Sequence, residues 1–152
     1  MFFSNLFQID FGGEEMKKVL IVYAPKKDLE DIAQGLKKGF ESVGAQVDIE
    51  EAGRRERPLS LSKYDLALFG SPVLGFLGGK IDNSIGEFLK DCKGTTGQKA
   101  TAFVNSSLFG SRKSLKKLMK ELEVKGCMVH DFRTFKNADA AKKYADKINL
   151  EN

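Results

Sequence analysis

Three groups of residues in this sequence have types that do chemistry elsewhere: the hydroxyls of Asn105-Ser106-Ser107, the lone histidine His130, and the thiols of Cys92 and Cys127. Ser106 and Ser107 follow an apolar run, where a nucleophile would meet solvent. A nucleophilic serine needs a base within hydrogen-bond reach, and nothing marks His130 as that base. No catalytic residue is assigned on this ground, and His130 is expected to be an exposed or capping residue near a strand end. The two cysteines form no C-x-x-C pair. With one histidine in the chain they give neither a metal site nor a disulfide framework. Both read as small apolar residues of a protein kept in a reducing compartment. Asn105 also opens a glycosylation triplet, which has no consequence in the cytoplasm. The stretch Gly75-Phe76-Leu77-Gly78-Gly79-Lys80-Ile81 ends in Gly-Lys, but it lacks the spacing and the following Ser or Thr of a nucleotide loop.

The elements that position these groups are bounded by composition. A chain of 152 residues, 41% hydrophobic and 30% charged, has the size and balance of one ordinary globular domain. The apolar run from Val19 to Ala24 is too short to span a bilayer and fits a buried strand. Membrane insertion is not expected, and a cytoplasmic location is. The net charge of +4 comes from Lys/Arg pairs spread along the chain and interleaved with acids such as Glu30, Asp31 and Glu41. No basic run exceeds a few residues, so the charge reads as a solvated surface rather than a nucleic-acid footprint.

Residues 1–15 differ from the rest. MFFSNLFQIDF is apolar and carries no lysine or arginine, which excludes a secretory signal. Phe3, Leu6 and Phe7 have helical spacing, compatible with a short docking helix. The alternative is that Gly12-Gly13-Glu14-Glu15 reflects a purine-rich ribosome-binding stretch and that the native start is Met16. The domain proper is expected to cover residues 16–152, with 1–15 as an N-terminal extension.

From Met16 onward strand and helix signals alternate over short connections, the pattern of a parallel α/β sheet. Val19–Tyr23, Leu66–Gly70 and Ala100–Val104 are continuous apolar runs, as strands covered on both faces should be. Val47 and Ile49 suggest a strand nearer an edge, and Cys127–Phe132 a fifth strand. Leu29, Ile32, Ala33, Leu36 and Phe40 form one helical stripe, with Asp28 as its N-cap and Gly44 at its end. Ile81, Ile85, Phe88 and Leu89 form a second. A third runs through Leu115, Leu118, Met119 and Leu122, and a last through Ala141, Tyr144, Ala145 and Ile148. Between Gly53 and Ser62 a helix would complete the alternation, but the signal there is weak.

Five strands in this sequence resemble the flavodoxin family over nearly all of residues 17–149. The most specific stretch is Tyr64-Asp65-Leu66-Ala67-Leu68-Phe69-Gly70-Ser71-Pro72-Val73, similar to the family's third strand and the turn over its flavin. A second is Ala102-Phe103-Val104-Asn105-Ser106-Ser107-Leu108-Phe109-Gly110, similar to the strand and loop on the flavin's other side. The resemblance implies a doubly wound five-stranded parallel sheet of order 2-1-3-4-5. FMN would sit at the switch point between strands 1 and 3.

It implies further that Pro25, Lys26 and Lys27 stand where the phosphate is bound. Ser71, Pro72, Val73, Leu74, Gly75 and Phe76 would lie on one side of the ring, and Asn105, Ser106, Ser107, Phe109 and Gly110 on the other. Family members carry hydroxyls and a glycine in the first loop, whereas this chain has Ala24-Pro25-Lys26-Lys27-Asp28. Proline lacks a donor, and Asp28, Glu30 and Asp31 put negative charge where a dianion would come. Three lost charge-assisted hydrogen bonds at about 1.5–3 kcal/mol each remove a large share of the roughly 12 kcal/mol in a nanomolar complex. Lys26 and Lys27 would recover part of that as point charges only by folding over the site.

The leading expectation is an FMN-binding electron-transfer protein with a weakened phosphate site and a redox partner protein. A flavin-free binding or interaction module, with a homodimer as one form of it, is the alternative; a flavin-dependent quinone or NADPH reductase is a third. Whether the chain is an enzyme stays open.

Overall fold

The computed structural model describes residues 16–54, 57–148 and 150. The expectations made for residues 1–15 lie outside the described residues. Strands β1 (Lys18–Tyr23), β2 (Gln46–Glu51), β3 (Leu66–Ser71), β4 (Lys99–Asn105) and β5 (Met128–Phe135) form one sheet. Every neighbouring pair is parallel and the order is β2-β1-β3-β4-β5. The described residues also form helices α1 (Lys27–Ser42), α2 (Asn83–Lys90), α3 (Ser111–Val124) and α4 (Ala138–Ala145). This is the α/β architecture and strand order expected from the sequence.

Burial follows position in the sheet. Val19–Val22 in β1, Ala67–Phe69 in β3 and Ala102–Val104 in β4 are fully buried because helices cover both faces. The edge strands β2 and β5 alternate between buried, half-buried and exposed residues. The order reverses direction after β2, and parallel crossovers are right-handed, so α1 lies on one face while α2 and α3 lie on the other. Helix α4 returns to the α1 face. There Gly35 and Gly39 leave so little room that an added Cβ would run into the carbonyl oxygens of Ala138 and Lys142.

Three local details differ from the sequence expectation. Helix α1 begins two residues earlier: Lys26, not Asp28, is its N-cap, and no side chain caps it. The β5 strand runs on to Phe135 because it keeps pairing with β4 as far as Asn105, while Cys127 sits in the preceding turn. His130 is therefore not at a strand end. It occupies the irregularity where Ala100 pairs with Val129 but Thr101 pairs with Asp131.

No helix joins β2 to β3 in the described residues of that connection. The chain crosses as an extended segment instead, with Leu61 N donating to Lys93 O at 2.8 Å and Lys93 N donating to Leu59 O at 2.9 Å. Leu59 and Leu61 fill the place that a helix would have covered.

Candidate functional site

The carboxyl ends of β1, β3 and β4 bring three loops together at the point where the strand order reverses, the usual crevice of such a sheet. In the first loop Ala24 is buried, and its N–H donates to Gly70 O at 3.0 Å. Pro25, Lys26, Lys27 and Asp28 are exposed. The Glu30 amide donates to Lys26 O at 3.0 Å and starts the helix. Lys27 is committed to its own helix: its Nζ lies 3.1 Å from Asp31 Oδ1 and 3.8 Å from Glu30 Oε1. The hydrogen bond and charge of Asp31, with Glu30 behind it, raise the Lys27 pKa. For Lys26 no ion pair is recorded among the described residues.

The second loop is a small hairpin on a fixed base. Ser71 is fully buried; its Oγ donates to Pro72 O at 2.9 Å and accepts from Asp82 N at 2.9 Å. Above that base, Leu74 and Lys80 exchange backbone hydrogen bonds of 3.0 and 3.2 Å, and Gly78 N donates to Gly75 O at 3.2 Å. The tip carries Phe76, 97% exposed, and Leu77. Val73 is half-buried below it.

The third loop leaves β4 through Asn105 and enters α3 at Gly110. Ser106 N donates to Phe135 O at 2.9 Å, and Ser107 and Ser111 bond to each other across the turn. Leu108 is 93% exposed and Phe109 is also exposed. Gly110 caps α3 in the left-handed region with φ 81°. The buried Ser114 hydroxyl fastens the hairpin to α3: it accepts from Gly79 N at 3.0 Å and donates to Lys80 O at 2.7 Å. At Gly78 and Gly110 the two backbones meet directly, and a Cβ on either would overlap the other residue.

A separate groove of about 630 Å³ opens between α1 and α4 and reaches the end of β4. Asp28, Asp31 and Lys38 line one wall, Lys136 and Lys142 the other, with Asn105 and Ser106 at its head. The buried Asn105 Oδ1 has no hydrogen-bond partner among the described residues. The sequence reading did not anticipate this groove. Its one legible signal was the pair Gly35 and Gly39, four apart on a helix stripe, which admits a second helix at close range.

The other chemistry-bearing residues lie away from the crevice. His130 Nε2 is 3.3 Å from Thr101 Oγ1. Burial, and then the charge of Lys99, hold its imidazole below the ordinary value. Beside it Tyr144 OH donates to Asp131 Oδ2 at 2.7 Å, and Arg133 Nε donates to the same oxygen at 3.2 Å. Burial works to raise the Asp131 carboxyl, but hydrogen bonds from Tyr144, the Phe132 amide and Arg133 outweigh it and leave it below the usual value. Burial and the Asp131 hydrogen bond raise the Tyr144 phenol. Burial also pushes the Cys127 thiol up, which suits a packing role. Among the described residues no group of three or more His, Cys, Asp or Glu is placed to hold a metal ion, and no helix is long and apolar enough to cross a membrane.

The crevice can be tested for fit to a flavin in two parts. Leu74, Phe76, Leu77 and Phe109 offer apolar surface for a ring. The first loop does not fit a phosphate dianion: it has no hydroxyl, Pro25 has no N–H, Lys27 is paired, and Asp28, Glu30 and Asp31 occupy the start of α1.

No family model and no curated protein matches the chain. Solved structures do. The two-electron reduced flavodoxin of Megasphaera elsdenii is similar with a TM-score of 0.64 at 19% identity, covering 82% of this chain and 98% of its own. A flavodoxin from Streptococcus pneumoniae gives 0.65 at 14%, covering 89% and 99%. The general stress protein 14 of Treponema denticola, solved in complex with FMN, gives 0.54 at 10%, covering 86% and 92%. At these identities the likeness speaks for the fold. With the sheet order and the crevice described above, it establishes that this chain has the flavodoxin-like fold.

Proposed function

We propose that the chain is a flavodoxin-like redox protein whose crevice takes a flavin by its ring, between the hairpin at Leu74–Lys80 and the loop Asn105–Gly110. One observation carries this reading: large apolar side chains stand exposed on both loops beside the strand-order reversal, where an α/β sheet takes its ligands. Two fold neighbours described as flavodoxins, and a third, general stress protein 14, solved in complex with FMN, support it. A bound flavin supplies the electron-transfer chemistry. The chain's own part is to seat the ring against Leu74, Phe76 and Phe109 and to hold the loops in place through Ser71 and Ser114.

The test is the visible absorption spectrum of the purified protein, before and after incubation with FMN or riboflavin and desalting. A retained flavin spectrum is the expected result. A colourless protein that takes up neither flavin overturns the reading.

A second reading has its own observation. The carboxylates at the start of α1 and the closed Gly78–Gly110 contact favour a flavin-free module that acts through protein contacts. A colourless outcome in the same experiment selects it.

A further inference from the structure

The large apolar side chains exposed among the described residues are unevenly distributed. Met16, Val43, Val124, Met128 and Phe132 lie at element ends or along the edge strand β5, whereas Leu74, Phe76, Leu77, Leu108 and Phe109 are gathered on two adjoining loops. Those loops are held rather than slack. The hairpin has its own backbone ladder, the Ser114 hydroxyl fastens it to α3, and Gly78 packs against Gly110. An ordered apolar patch of this kind marks a contact surface.

Its charge narrows the choice of occupant. Residues 72–81 and 105–114 contain Lys80, Arg112 and Lys113 and no Asp or Glu. The stem of Lys80 lies beside Gly75 and that of Lys113 beside Gly79, so the cations flank the apolar tips. None of the three has an ion pair recorded among the described residues, and α3 has no acid in its first turn to offset them. Of the carboxylates at this end of the molecule, Asp28, Glu30 and Asp31 sit across the crevice on α1, and Asp82, half-buried at the base of the hairpin, is engaged in capping α2 through the Ser84 amide.

We infer that the hairpin tip and the Leu108-Phe109 loop form a docking surface for a protein partner that presents apolar side chains ringed by carboxylates. A second copy of this chain fits poorly. A two-fold contact through this patch would set Lys80, Arg112 and Lys113 against their own counterparts. An anionic membrane is the weaker fit, because with Lys116 one turn along α3 the cations number four, the bottom of the range of about four to eight that holds chains to such leaflets. With Leu74, Phe76 and Phe109 assigned to a flavin ring, Leu77 and Leu108 and the three cations still lie outside that seat, and they carry the inference if the crevice is filled.

The probe is a pair of synthetic amphipathic helical peptides, one with leucine on one face and glutamate on the other, and its lysine-for-glutamate counterpart. Each is titrated into the isotopically labelled full chain and followed by amide NMR shifts. The glutamate peptide is expected to shift the amides of residues 74–80 and 107–113, binding at least about tenfold more tightly than the lysine peptide and losing that advantage in high salt. In the double variant Lys80→Glu/Lys113→Glu, with both positions exposed, the preference is expected to reverse while the remaining spectrum stays folded. Equal binding of the two peptides, no binding, or shifts elsewhere overturns the inference. So does self-association that broadens the same amides, or co-sedimentation with phosphatidylserine vesicles that depends on Phe76 and Leu108.

Discussion

Gly78 and Gly110 touch backbone to backbone, and that contact determines how the hairpin of the second loop lies on the entrance to α3. Both residues have positive φ, 79° and 81°, so each satisfies two conditions that only glycine meets. Replacing Gly110 by alanine adds left-handed strain to a steric overlap with its neighbour. The expected loss is on the order of 2–4 kcal/mol, read by denaturant unfolding, with hydrogen exchange faster at Gly79 and Lys80. A variant as stable as the parent would show that the loops separate at no cost.

The first loop predicts an unusual ligand preference. If the ring alone is held, FMN binds no more tightly than riboflavin in a fluorescence titration, because its phosphate finds carboxylates and no hydroxyl at the start of α1. Asp31→Asn releases Lys27 from its closer partner. That change should improve FMN affinity by a few-fold and leave riboflavin where it was. A parent protein that favours FMN tenfold or more would contradict this account of the loop.

Phe109 and Phe76 separate stability from binding. Both are exposed, so alanine at either position should move unfolding by less than about 0.5 kcal/mol. If they flank a ring, each truncation removes an aromatic contact of about 0.5–1.5 kcal/mol, a two- to tenfold loss of flavin affinity. Unfolding and titration on the same preparations check both halves of the prediction.

The Tyr144–Asp131 hydrogen bond gives a pH dependence that is independent of the crevice. The Asp131 carboxyl lies below its ordinary value in the folded protein, so its stabilising contribution is complete above about pH 4. It is lost as pH falls through the folded value. The Tyr144 phenol is raised above its ordinary value of 10.0, so its contribution is complete below that pH and is lost as pH climbs further. Tyr144→Phe should cost about 1–2 kcal/mol at neutral pH and flatten both flanks of the stability profile. Unchanged flanks would place the titrating groups elsewhere.

The sheet was legible in the sequence because β1, β3 and β4 are covered on both faces and therefore appear as unbroken apolar runs. The β2–β3 connection was half legible. Its helix signal was weak because Leu59 and Leu61 serve an extended segment, not a helix stripe. The groove between α1 and α4 was not read, since its signal is the glycine pair Gly35 and Gly39, four apart, which a reading of hydrophobic stripes passes over. At the crevice, the family resemblance led to the expectation that Ser71 borders a ring, without showing that its hydroxyl already bridges Pro72 and Asp82. The pairing of Lys27 with Glu30 and Asp31, three and four residues on, follows from helical geometry alone.

The seating of α4 on α1 bears on how the molecule is made. These two helices lie about a hundred residues apart in sequence and share a close contact at Gly35 and Gly39. During synthesis the first helix emerges early, and its partner is added only after the rest of the sheet has been translated. Until then the small-residue stripe of α1 has nothing to cover it. The α2–α3 face, built from segments close in sequence, can be completed sooner. The nascent protein thus passes through a stage in which one side of its sheet is finished and the other still waits for its last helix.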